Sequence, residues 1–302
     1  MAAKSERRIL ITGTSGFIGS TCIHTLAGRK DYSLVCPSSA QMDITNKHAV
    51  EDAVKQYRPD TILNFAAHRN ANTAEIQRGD EEGSAWMINV VGAKNLAEVC
   101  NIYRIYLLHV STDMVFSGKE TRKGPYSESD TPENDPNNLS WYGWTKRLAE
   151  QAVISNENAC VVRIGNVTKP IYDPSLDYIG KIQWLYDTGN SYPLFHDQNI
   201  TLTYIPELVD SMIQLIDARM SGVYHVASDN VTTPVELAKY LMSNVRPDRN
   251  KIKEVRIDEY LSAHPNRYPK DGGLKSQNTQ KKLGKKFRSW QMIVDCFIKY
   301  AT

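Results

Sequence analysis

Several things are missing from this 302-residue chain, and each absence narrows what it can be. Its five cysteines, Cys22, Cys36, Cys100, Cys160 and Cys296, include no Cys-x-x-Cys and no metal-like spacing. They sit among apolar or small residues, which predicts reduced, mostly buried thiols. The start, "MAAKSERR", has no apolar signal-peptide core, and no apolar run approaches the length of a bilayer span. Excess charge is also missing. A formal net charge of +2 gives no reason to expect nucleic acid or an anionic membrane as partner, and "QKKLGKKFR" reads as a solvated helix end and loop. No internal repeat or low-complexity tract is present. The expectation is a cytoplasmic protein without a membrane anchor, in which the sequons at Asn138 and Asn166 are chance matches.

What is there is a strand–helix rhythm. A hydrophobic share of 41% and a charged share of 23% suit an ordinary folded core. "RRILITG" (7–13), "SLVCP" (33–37), "DTILNFAA" (60–67), "RIYLLHVST" (104–112) and "ACVVRIG" (159–165) read as strands. Helical patterns separate them: 17–29, 46–57 with Asn46 as N-cap, 84–101 and 141–155. Such alternation predicts an α/β fold, a Rossmann-type doubly wound parallel sheet whose ligands gather at the C-terminal strand ends. Residues 1–165 form the expected dinucleotide-binding domain. After that the rhythm breaks, with helices expected at 206–218 and 234–246 and a strand at 222–228. Residues 166–302 are the expected smaller, less regular substrate-binding lobe, some segments of which return to the sheet.

The candidate functional residues fall just after strands. "GTSGFIGS" places Gly13, Gly16 and Gly19 between the first strand and first helix. Glycine allows the tight turn and lets the backbone approach a pyrophosphate resting on helix N–H groups. A plain turn fits a glycine triplet taken alone; its position at the first strand–helix junction favours a dinucleotide, with Gly13, Ser15, Gly16, Phe17, Ile18 and Gly19 as contacts. At the second strand end, "CPSSAQ" has neither the acid that holds NAD ribose hydroxyls nor an arginine. Ser38 and Ser39 can hydrogen-bond a 2′-phosphate, so the reading of NADPH or NADH leans to NADPH. Asp43 and Ile44 either receive the adenine edge or simply begin a helix. In "NFAAH", Phe65, Ala66 and Ala67 leave room for a cofactor at the third strand end, while His68 alone reads as a structural polar residue. Ser111 and Thr112 place hydroxyls at the fourth strand end, a common arrangement by itself.

In "WYGWTKR", Tyr142 and Lys146 share one helix face a turn apart. A tyrosine with a pKa of about 10 is a poor proton-transfer group, but an ammonium and a nicotinium nearby would favour its phenolate. An aromatic residue and a lysine on a half-buried helix is the other reading of that spacing.

Taken in order, the glycine motif, the small residues of the third strand end, the Ser-Thr pair and Tyr-x-x-x-Lys resemble the extended short-chain dehydrogenase/reductase superfamily. Within it, "NFAAHRNANTAE", "STDMVFSG", "PYSESD…WYGWTK", "FHDQNITLTYIPEL" and "GVYHVAS" are similar to motifs of the dTDP-4-dehydrorhamnose reductase family, across nearly the whole chain. Residue by residue, that resemblance implies a catalytic set of Thr112, Tyr142 and Lys146. Tyr142 would protonate the C4 carbonyl oxygen of a nucleotide-activated keto sugar, with Lys146 on the nicotinamide ribose and Thr112 on the sugar oxygen. The chain departs from the family in "RIGNVTKP", at Met114 and in "NRYPKDGGLKSQ", all on the substrate side. The implied partners are a nucleotide sugar and, in a homodimer, a second copy of the chain. Two alternatives keep the fold: an epimerase or dehydratase holding NAD tightly, and a non-catalytic nucleotide-binding regulatory subunit. Asp113 is the obvious extra acid–base group for the former. Trp141 and Trp144 are unassigned: packing is the first reading, and one of them lining the sugar pocket is the other.

Overall fold

The computed structural model describes residues 6–171, 173, 177–190, 192–247 and 252–301. Its main sheet runs β2 (Tyr32–Val35), β1 (Arg7–Thr12), β3 (Thr61–Asn64), β4 (Tyr106–Thr112), β5 (Ala159–Ile164) and β9 (Gly222–His225), in that order. Neighbours β1–β2, β1–β3 and β3–β4 pair parallel, as the alternating sequence requires. Strand order reverses at β1, so a crevice opens outside the C-terminal ends of β1 and β3. The predicted strand at 222–228 does join this sheet, at its edge beside β5.

The helices are α1 (Phe17–Ala27), α2 (Lys47–Tyr57), α3 (Ala71–Ile76), α4 (Ser84–Trp86), α5 (Ala93–Tyr103) and α6 (Trp141–Ile154) in the first half. Asn46 caps α2 as expected, accepting from the His48 and Ala49 N–H groups. Val50, Ala53 and Val54 of that helix are buried with Leu10, Ile62, Leu96 and Leu107, which is the amphipathic face meeting the sheet. The single long helix expected at 84–101 is instead three pieces, with a π-helical segment over Met87–Gly92 between α4 and α5. At Gly92 a Cβ would lie 2.6 Å from Ile44 Cδ1, so the missing side chain makes room for the loop after β2.

The chain packs as two compact units, each built from three segments. One comprises Met1–Thr112, Trp141–Val162 and Val209–Val223; the other comprises Asp113–Ser140, Arg163–Leu208 and Tyr224–Thr302. Short elements abound in the second unit: β6 (Val167–Thr168), β7 (Leu194–Phe195), β8 (Thr203–Tyr204) and β10 (Glu254–Val255), with β6–β8 and β7–β10 pairing parallel. Its helices α7 (Tyr178–Asp187), α9 (Pro234–Val245) and α12 (Trp290–Ala301) enclose a core that includes Ile182, Leu202, Leu241, Trp290 and Phe297. α10 (Ile257–Ala263) and α11 (Gln277–Leu283) also belong to this unit, whereas α8 (Ile205–Ala218) begins in it and from Val209 onward belongs to the first. Thr233 and Glu236 form a reciprocal capping box at the start of α9. Among the described residues, no helix is long and apolar enough to cross a membrane, and no cluster of His, Cys, Asp or Glu could hold a metal.

Cysteine burial follows the sequence at Cys22, Cys100 and Cys160, and Cys296 is partly covered. Cys36 departs from it. The strand β2 ends at Val35, and Cys36 stands exposed in the loop beyond.

Candidate active site at the ends of β1, β3 and β4

Gly13 leaves β1 in the left-handed region, at φ +68°. A Cβ there would lie 2.5 Å from both Ala66 N and Phe65 C, so the glycine turn is pressed directly against the backbone leaving β3. Gly19 fits as closely, its missing side chain filled by Gly13 and Thr14 backbone. Gly16 is the N-cap of α1, with no side-chain cap and no acid in the first turn. These features suit an anion at the helix N-terminus: the N-cap carries no side chain and the first turn no carboxylate to repel it. Ser15 is exposed, Ile18 half-buried and Phe17 buried in this first turn. Thus the structure brings together the glycine loop with Phe65 and Ala66, two groups the sequence could only place at separate strand ends. Ala67 follows them, also half-buried.

The residues expected on the adenosine side lie in a separate loop. Ser38 and Ser39 are exposed, and Ser38 donates its N–H and Oγ to Gln41 Oε1 at 2.9 and 3.0 Å. Asp43 turns its carboxylate onto its own loop, accepting from Thr45 N–H and Oγ1. Ile44 is buried beside Gly92. Asn95 pins this loop by donating to the Ile44 and Thr45 carbonyls at 2.9 and 3.0 Å.

The third component is α6. Tyr142 is half-buried and packs in an aromatic cluster with Trp86, Trp141 and Trp144. Trp141 stacks on Trp86 with ring centroids 5.7 Å apart, and its backbone N–H donates to Glu75 of α3. Packing therefore accounts for Trp141. One turn on, Lys146 is only 2% exposed, and its Nζ donates to Val110 O of β4 at 2.8 Å and meets His109 Nε2 at 3.0 Å. Thr112, 7% exposed, ends that strand, and the buried Ser111 Oγ beside it has no hydrogen-bond partner among the described atoms.

Burial pushes the Lys146 amine down to about 8, with Glu150 one turn along acting weakly the other way. Burial, then the Lys146 charge, holds His109 well below the usual imidazole range. Because the folded lysine binds its proton less tightly than the unfolded one, the unfolded chain holds more protons between pH about 8 and 10.5. Lys146 therefore contributes stability that is fully present above that window and lost as pH falls through it. Relative to Lys146→Met, the wild type should gain on the order of 3 kcal/mol between the two ends of the window. Urea unfolding of both proteins at each pH measures it; a flat difference contradicts the buried, partly neutral amine.

Two residues here escaped sequence reasoning. Asn89, in the π segment, accepts from His68 N–H and donates to His68 O and Thr145 Oγ1, tying the loop after β3 to α6. His109 is the other. Each is a polar residue inside an apolar run, "MINVVG" and "YLLHVST", and that misfit was the available signal.

What fold and site together define is a Rossmann-type protein of the extended short-chain dehydrogenase/reductase class, its glycine turn at the sheet's switch point and its Tyr-x-x-x-Lys helix against β4. The family model described as the RmlD substrate binding domain matches residues 7–302, and the chain belongs to that family. It is 30% identical to a dTDP-4-dehydrorhamnose reductase of Mycolicibacterium smegmatis over 94% of this chain and 83% of that protein. It is 27% identical to methionine adenosyltransferase 2 subunit beta of Xenopus tropicalis, covering 86% of this chain and 78% of that one. A crystal structure of a dTDP-4-dehydrorhamnose reductase from Bacillus anthracis in complex with NADP shares the fold. Its TM-score is 0.84 at 24% identity, covering 97% of this chain and 99% of that one.

Proposed function

We propose that the protein is an NAD(P)H-dependent oxidoreductase that reduces the C4 keto group of a nucleotide-activated deoxysugar, in the manner of a dTDP-4-dehydrorhamnose reductase. The observation that carries this reading is the placement of Lys146. Its amine is buried against the end of β4, one helical turn from Tyr142, in the same unit as the glycine turn.

The residues present fit a dinucleotide: the space at Gly13 and Gly19 is filled by backbone alone, and the start of α1 carries no competing acid. Gly13, Ser15, Gly16, Phe17, Ile18 and Gly19 would hold its pyrophosphate, Asp43 and Ile44 its adenine, and Phe65, Ala66 and Ala67 would line its passage across the sheet. The exposed turn at Ser38 and Ser39, without a carboxylate, suits NADPH better than NADH. When bound, the reduced nicotinamide supplies the hydride.

The chain's own part is proton delivery and charge placement. Tyr142 gives its phenolic proton to the developing C4 alkoxide. Thr112 hydrogen-bonds the same oxygen and spreads its charge. Lys146 would hold the nicotinamide ribose and, in its charged form, would favour the tyrosinate left after transfer. Residues 166–302 mainly serve sugar recognition, and the enzyme works in the cytoplasm.

Following NADPH absorbance against a panel of nucleotide 4-keto sugars tests the reading; oxidation that requires one of them is expected. The likeness to methionine adenosyltransferase 2 subunit beta favours a second reading, a non-catalytic nucleotide-binding subunit. Cofactor binding without turnover on any sugar, together with a stoichiometric protein partner, would select it. NAD retained through purification, with no net NADPH oxidation, would instead select an epimerase or dehydratase.

A further inference from the structure

A buried polar line crosses three strands of the first unit and ends on α6. Thr12, Asn64 and His109 are side-by-side partners in the register of β1, β3 and β4. Thr12 Oγ1 donates to Asn64 Oδ1 at 2.5 Å, Asn64 Nδ2 meets His109 Nδ1 at 2.9 Å, and His109 Nε2 meets Lys146 Nζ at 3.0 Å. Exposures are 3%, 1%, 1% and 2% along the line.

One fixed donor sets the direction of every bond in it. The Ala66 backbone N–H can only donate, and it lies 3.1 Å from Asn64 Oδ1. That places the carboxamide oxygen on the Ala66 side and turns the NH2 towards His109. The NH2 can only donate as well, so His109 Nδ1 must offer its lone pair. A neutral imidazole then carries its proton on Nε2, and a doubly protonated ring would set N–H against NH2. The Nε2–H is aimed at Lys146. An ammonium has donors only and would meet it head-on, whereas a neutral amine accepts from it and still donates to Val110 O, 2.8 Å away. In this inward position both contacts of Nζ are satisfied by the neutral amine alone.

We propose that the Thr12–Asn64–His109 line fixes His109 as its Nε2–H tautomer and thereby weakens the hold of Lys146 on its third proton, making His109 a positioning residue that sets when the lysine carries charge. Its consequence for turnover rests on the function proposed above, in which Lys146 assists Tyr142. The downward displacement of both groups by burial agrees with a neutral ring and a readily deprotonated lysine. Other groups around α6 do not supply the effect. Glu150 on the same helix favours the charged lysine, Tyr142 lies one turn back, Glu75 of α3 is engaged by Arg78 and the Trp141 N–H, and Glu98 of α5 by Lys47.

Asn64→Asp is the discriminating variant, because it replaces the NH2 with an oxygen of similar size. Thr12 and Ala66 can still donate to it, but the second oxygen now accepts Nδ1–H. The ring proton moves, and the Nε2 lone pair faces and stabilises the ammonium. The full chain, labelled with ¹⁵N-histidine and ¹³C-lysine, is followed by NMR against pH, with the Lys146 signal assigned by its loss in Lys146→Arg. Expected are an Nε2–H tautomer of His109 in the wild type, an Nδ1–H tautomer in Asn64→Asp, and a Lys146 midpoint at least about one pH unit higher in that variant, a tenfold change in proton affinity. An Nδ1–H or doubly protonated His109 in the wild type overturns the proposal, as does an unchanged or lower midpoint in folded Asn64→Asp. Should that variant fail to fold, the wild-type tautomer decides alone. Neither readout needs turnover, so failure to reduce any sugar would remove the proposed reaction and leave this arrangement standing.

Discussion

Tyr142→Phe should lower kcat by about 10²–10⁴-fold, the usual contribution of a positioned proton donor, while cofactor affinity stays essentially unchanged. The phenylalanine keeps the ring in its cluster with Trp86, Trp141 and Trp144, so α6 and the buried Lys146 should stay in place. What is lost is the hydroxyl alone. Because that group acts on charge that develops during reduction, kcat and kcat/KM should fall together with little change in KM. Stopped-flow measurement of NADPH consumption, beside fluorescence titration of the cofactor, separates the two. A variant retaining more than about a tenth of wild-type turnover would take the proton-donor role away from Tyr142.

Gly13→Ala should also be damaging, by a different route. The new Cβ meets Ala66 N and Phe65 C at 2.5 Å, and the residue sits at φ +68°. Left-handed backbone costs an alanine about 1–2 kcal/mol. Overpacking adds about 1–3 kcal/mol, since the neighbours are backbone atoms of the chain leaving β3 and cannot rotate aside. The relief available is to push the glycine turn away from β3, which spoils the bed for the pyrophosphate. Cofactor binding should weaken at least about tenfold, equal to roughly 1.4 kcal/mol. Gly28→Ala is the matched control: φ is −72° there, and the nearest atom to an added Cβ is 3.5 Å away. Equal cofactor affinity and equal melting temperatures for the two variants would contradict the close-packed turn.

Much of the first half was legible in the sequence because its rules are local. The end of β1 is marked where its apolar run meets Gly13, the apolar runs of β2 to β5 locate their strands, and Asn46 announces a helix by its own capping chemistry. The three-piece helix over 84–103 was not legible, because the run carries one continuous helical pattern with no proline or side-chain cap to mark the π segment. The short strands β6, β7, β8 and β10 were missed for a related reason. Two-residue strands have no period of their own and exist through their partners. The exposure of Cys36 turned on where β2 stops, which is the least certain feature of any strand read from sequence.

By itself, then, the sequence determined the alternation of the main strands and helices in the first half, the glycine turn, and the spacing that puts Tyr142 and Lys146 on one helix face, all consequences of backbone geometry over a few residues. The tertiary structure alone decided that Gly13 lies against Phe65 and Ala66, and that Asn89 ties His68 to Thr145. It also decided that Thr12, Asn64, His109 and Lys146 form one line. Those four residues span three strands and a helix, so their meeting depends on parallel register between strands. Register is set by how whole hydrophobic faces pack, and no short stretch of chain contains that information.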